Sequence, residues 1–128
     1  MKNGLSVLVV DDEVFIRQIL SRIVSREGYS VDQASDGIEA LDKMSERRFN
    51  FVISDIKMPR MDGMELLATI KEKYPETHVL LITAYAGEYT AEDAIAAGAD
   101  YFITKPFKNV EIARTLTALH QNTAKPVK

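Results

Sequence analysis

The chain has 128 residues, 46% hydrophobic and 27% charged, a length and balance that fit one globular domain able to bury a core without staples. It has no cysteine, which excludes disulfides and thiolate metal sites. Its net charge of -3 argues against direct nucleic-acid binding, which calls for a basic face.

The opening "MKNGLSVLVV" runs straight into acids, unlike a signal peptide. No apolar run approaches the roughly 18 residues of a membrane span, so a cytoplasmic protein without a membrane partner is expected. Leu5–Val10 reads as a buried strand ending on Asp11-Asp12-Glu13. From Val14 to Arg26, Ile16, Ile19, Leu20 and Ile23 fall at helix spacing, with Gly28 as the stop. "SVDQA" (30–34) alternates like an edge strand. Asp36 looks like the N-cap of a helix striped by Ile38, Leu41 and Met44. "FVIS" (51–54) is a third strand; a loop with Pro59 and Gly63 leads to a helix carrying Leu66, Leu67 and Ile70, ending near Pro75. "VLLIT" (79–83) is a fourth strand. "YTAEDAIAAG" (89–98) reads as a helix with a Thr90–Asp93 capping box, closed by Gly98. "YFI" (101–103) is a fifth strand, and Ile112, Leu116 and Leu119 mark a last helix. The domain is expected over 1–121, with 122–128 a disordered tail.

Strands and helices thus alternate strictly. The strands read as apolar on both faces, as parallel strands covered by helices are, so the fold class is α/β, a doubly wound five-stranded parallel sheet with five helices. In such sheets ligands bind beyond the carboxyl ends of the strands. The first strand ends on Asp11-Asp12-Glu13, the third on Asp55, the fourth on Thr83 and the fifth on Lys105-Pro106. Neighbouring carboxylates repel unless a cation sits between them, and oxygen ligands without His or Cys suit Mg²⁺, or Mn²⁺ as the alternative. Lys105 offers a point charge for a phosphoryl oxygen, and the Thr83 hydroxyl a hydrogen bond. Asp55, alone on its strand, is the best nucleophile for an aspartyl-phosphate. Taken singly, each feature has a plainer account. The acids suit a helix start, Asp55 a turn, Thr83 a strand and Lys105 the extended residue before a proline.

Together and in order, "VLVVDDE", "VISDIKMPRMDG", "LLITA" and "ITKPF" resemble the receiver domain of two-component response regulators, over about residues 5 to 120. The resemblance implies a flavodoxin-like fold with strand order 2-1-3-4-5. It implies a phosphorylation-dependent switch that takes a phosphoryl group onto Asp55 from a sensor histidine kinase or phosphotransfer protein. Such a domain is a phosphoacceptor that assists its own phosphorylation and dephosphorylation rather than an enzyme. Mg²⁺ would be held by Asp12 and Asp55, by Asp11 often through water, and by the Lys57 carbonyl. Thr83 and the aromatic Phe102 would form the switch, changing the surface of the fourth helix, fifth strand and fifth helix, a surface also expected to serve a homodimer. Lys57 and Tyr85 would tune the phosphoryl lifetime. The Ala-rich fourth helix, with Ala91, Ala94, Ala96 and Ala97, is expected to be loosely held.

Glu13 is assigned mainly to the start of the first helix. His78 and His120 are read as lacking partners, and Met58, Met61 and Met64 as packing the loop around Pro59. An electron carrier of the same fold would need a phosphate cradle where the acids stand. A nucleotide-binding domain would need a Gly-rich loop. An aspartate-nucleophile phosphatase would need a second acid where Lys57 stands.

Overall fold

The computed structural model describes residues 4–84 and 90–124, with 120–124 as backbone only. Along the chain run β1 (Ser6–Val10), α1 (Val14–Arg26), β2 (Ser30–Ala34), α2 (Gly37–Glu46) and β3 (Phe51–Asp55). They are followed by α3 (Gly63–Lys73), β4 (His78–Thr83), α4 (Ala91–Ala96), β5 (Tyr101–Thr104) and α5 (Asn109–Ala124). The strands form one parallel sheet in the order β2-β1-β3-β4-β5, as the resemblance implied.

Strand alternation divides the core in two. Leu8, Val10, Val52 and Leu81 face α2 and α3, meeting Ala40, Met44, Leu66, Leu67 and Ile70. Val7, Val9, Ile53, Leu80 and Ile82 face α1 and α5, meeting Leu20, Ile23, Val24, Ile112 and Leu116. The reading of strands as apolar on both faces holds for β1, β3 and β4 but not at the edges. In β2 only Ala34 is buried, and in β5 only Ile103. An edge strand has one neighbour instead of two, so fewer elements cover its faces.

Two helices differ from their sequence reading. α4 is shorter than 89–98, because its capping box begins at Thr90 and Ala97 already closes it, with Gly98 at φ 110°. α5 continues to Ala124, into the stretch expected as a tail. His78 is also corrected: its Nδ1 lies 3.3 Å from Asp100 Oδ1 and its ring stacks on Phe51. Asp100 further accepts from Val79 N–H at 2.8 Å and from Lys71 Nζ at 3.1 Å. Burial works against the Asp100 charge, but these donors outweigh it and hold the carboxyl below its usual range. The His120 side chain lies outside the described residues.

Candidate functional site

The sheet changes direction of growth between β1 and β3, and the carboxyl ends of β1, β3, β4 and β5 lie side by side. The end of β1 is set by its neighbours. Asp11 N–H donates to Ala34 O at 3.1 Å, and Arg17 Nη1 donates to Asp11 O at 2.6 Å while its Nε reaches Gln33 Oε1 at 3.1 Å. Asp11 is therefore buried, 1% exposed, whereas Asp12 beside it is exposed. Asp11 Oδ1 accepts from Glu13 N–H at 2.9 Å. Glu13 is the N-cap residue of α1 by its backbone, yet its side chain makes no capping hydrogen bond and lines the cleft instead.

Asp55 closes β3, a strand buried along its whole length. Its Oδ1 accepts from Ile56 N–H at 2.9 Å, and Lys105 Nζ stands 3.4 Å from its Oδ2. The same Nζ lies 3.7 Å from Asp11 Oδ2, an oxygen with no hydrogen bond among the described residues. The lysine is carried there by the β5 exit, where Lys105 N–H donates to Thr83 O at 2.7 Å and the Lys105–Pro106 peptide is cis. Thr83, buried at the end of β4, pairs in register with Thr104. Behind it Phe102 is half-buried beside Leu81 and packs toward the α2–α3 side of the core.

One oxygen from each of Asp11, Asp12 and Asp55 lies within 4.8 Å of the others. Burial pushes the Asp11 carboxyl up to about 6, with the Asp55 and Asp12 charges adding to it and the Glu13 N–H and Lys105 opposing. Burial also raises Asp55, against the pull of Lys105 and the Ile56 N–H. Three converging carboxylates, two of them pushed up by burial and one of these with an unmet buried oxygen, with no His or Cys beside them among the described residues, fit a hard divalent cation. Asp12, Glu13, Asp55, Lys57, Met58, Pro59, Ala84 and Lys105 line the open cleft above them, of about 440 Å³. Tyr85 lies outside the described residues.

The β3–α3 loop completes the cleft. At Gly63 a Cβ would stand 2.4 Å from Asp55 O, so only glycine lets α3 start this close to β3, and its N–H donates to Ile56 O at 2.7 Å. Asp62 and Glu65 form a capping box there, for which the D-x-x-E spacing of the sequence is the signal. Met58, Met61 and Met64 pack against the core as expected. Arg17 and Arg60 had no such signal; each is placed by a partner distant in sequence.

The model of the response regulator receiver domain matches residues 7–117. Among curated proteins, the chain is 36% identical over 118 residues to "Response regulator MprA" of Mycobacterium sp. (strain KMS), covering 92% of this chain and 51% of that protein. It is 37% identical over 117 residues to "Transcriptional regulatory protein ResD" of Bacillus subtilis (strain 168), covering 91% and 48%. The chain thus spans about half the length of these relatives. Among solved structures, the receiver domain of NtrX from Brucella abortus superposes with a TM-score of 0.85 at 38% identity, covering 90% of this chain and 98% of that one. A CheY-like receiver domain protein from Methanospirillum hungatei JF-1 gives 0.86 at 31%, covering 93% and 96%.

Proposed function

The chain belongs to the response regulator receiver domain family, and from this we propose that Asp55 accepts a phosphoryl group from the phospho-histidine of a sensor kinase or phosphotransfer protein. The convergence of Asp11, Asp12 and Asp55 oxygens within 4.8 Å, with Lys105 against Asp55, carries the reading.

An Asp55 carboxylate oxygen forms the new O–P bond as the P–N bond to the donor imidazole breaks. Lys105 binds a phosphoryl oxygen as a point charge, and the Thr83 hydroxyl donates to another. Asp12, Asp55 and the Lys57 carbonyl would hold Mg²⁺, or Mn²⁺ in its place, with Asp11 acting through water. When bound, the cation neutralises charge on the transferring group. Thr83 and Phe102 pass the change to the face of α4, β5 and α5, where Ile95, Tyr101 and Val110 are exposed, and a homodimer through that face belongs to the same reading. Lys57, exposed at the rim, and Tyr85 set the phosphoryl lifetime by controlling water access.

Intact mass after incubation with Mg²⁺ and a small phosphodonor tests this. One base-labile phosphoryl adduct is expected on wild type and none on Asp55→Asn. An adduct that survives the substitution, or none on wild type, refutes it.

A further inference from the structure

The loop that rims the cleft is held away from the cleft as well as at its base. Arg60 is the one non-glycine residue with positive φ among those described, at 70°. A side chain in that region persists only where surrounding contacts over-determine it. Here the contacts come from the β2–α2 junction. Arg60 Nε donates to Asp36 Oδ2 at 3.0 Å, and its Nη2 donates to the same oxygen. The Asp36 side chain is 8% exposed, the Arg60 side chain 61%. The other Asp36 oxygen accepts from Glu39 N–H at 2.8 Å, capping α2. Next in the chain, Met61 lies so close over Gly37 that a Cβ there would come within 2.8 Å of its Cγ and Sδ. One carboxylate thus fixes the start of α2 with one oxygen and the β3–α3 loop with the other. The residues just before Arg60, namely Lys57, Met58 and Pro59, line the cleft.

We propose that the Arg60–Asp36 ion pair is a positioning latch, which sets the β3–α3 loop so that the cleft takes its divalent cation. The latch rests on the reading of the cleft as a cation and phosphoryl site. Neither residue touches that site; they act through the backbone of residues 57–59. The proposal ties α2 to the cleft, because anything that moves the start of α2 moves Asp36 and with it the rim.

Electrostatics alone gives the opposite expectation for one partner, and this makes the test decisive. Arg60→Ala deletes a positive charge, so through-space effects would tighten cation binding. Asp36→Asn deletes a negative charge but keeps a capping side chain, so through-space effects would weaken it. A positioning role makes both weaken it. Mg²⁺ alone is titrated into wild type, Arg60→Ala, Asp36→Asn and the double variant by calorimetry, with backbone amide shifts of residues 56–58 followed by NMR. Each single variant is expected to bind about tenfold more weakly, as when groups that orient metal ligands are lost. The double variant should be no weaker than either, and the amides should shift before any Mg²⁺ is added. Unchanged or tighter binding by Arg60→Ala overturns the latch while leaving the cation site in place. Wild type that binds no Mg²⁺ overturns both. If Asp36→Asn loosens α2, Arg60→Ala, whose side chain is mostly exposed, decides alone.

Discussion

Asp11 is the residue at which folding and function pull against each other. Its carboxyl is 1% exposed and pushed up to about 6 from 3.8. Between these values the folded chain keeps a proton that the unfolded chain has released. Stability from this group therefore falls as pH rises from about 3.8 through 6, and stays level above. The difference is worth up to about 3 kcal/mol. In buffer without divalent cations, Asp11→Asn should be more stable than wild type at pH 7 by about 1–3 kcal/mol in urea denaturation, and equal to it near pH 3. Adding Mg²⁺ should raise the wild-type melting temperature through selective binding to the folded state and leave Asp11→Asn nearly where it was. Lys105 stands between Asp11 and Asp55 with its side chain 17% exposed. Lys105→Met should slow phosphorylation by a small phosphodonor about 100-fold, as loss of a buried charge-stabilising donor does, read as the rate of adduct growth by mass. The positions of Asp12, Asp55, Thr83 and Lys105 at one end of the sheet were legible in the sequence because a parallel strand delivers its last residue, and those just after it, to a known edge. Arg17, Arg60 and the Asp100 tie to His78 were not, since each depends on register across different elements.

At the scale of elements, long helices were legible from a broad apolar stripe, and the short α4 from its Thr90–Asp93 capping box and from Gly98. α1 and α2 begin where their spacing and caps predict. α4 has few turns and only Ala94 buried, so its ends are decided by the capping box and by Gly98 rather than by a stripe. Burying one methyl group contributes little, and an element with so few apolar contacts opens at low free energy. Amide exchange over residues 90–98 should be faster than over α3 in the unmodified protein, and should slow once Asp55 carries a phosphate mimic. Equal protection in both states would remove α4 from the switch. α3 provides the contrast, with Leu66, Leu67 and Ile70 at 0% exposure. Leu66→Ala should cost about 2–5 kcal/mol, measured by denaturant unfolding.

In the whole molecule the two ends of the sheet are built differently. The carboxyl end gathers three carboxylates, those of Asp11, Asp12 and Asp55, about the one ammonium of Lys105. The amino end sets Lys71 against Asp100, with His78 closing one network across α3, β4 and the turn before β5. The domain thus matches its charges at one end of the sheet and carries an excess of carboxylates at the other. The fold class was readable from the alternation of elements, because strict alternation leaves few arrangements that cover both faces of a sheet, whereas the strand order came from the family resemblance. The edge position of β2 was readable from its alternation, while that of β5 was not, because exposure there depends on where the strand sits in the order.

Gly63 and Asp55 touch: a Cβ on the first would stand 2.4 Å from the carbonyl oxygen of the second. Their tolerances should nevertheless be opposite. In a saturation library sorted only for soluble folded protein, position 63 should return glycine alone, while position 55 should accept asparagine freely, since burial already disfavours the charge there. Sorted instead for the phosphoryl adduct, position 55 should collapse to aspartate. Two residues in contact would then record two separate histories of selection, one for the shape of the chain and one for its signal.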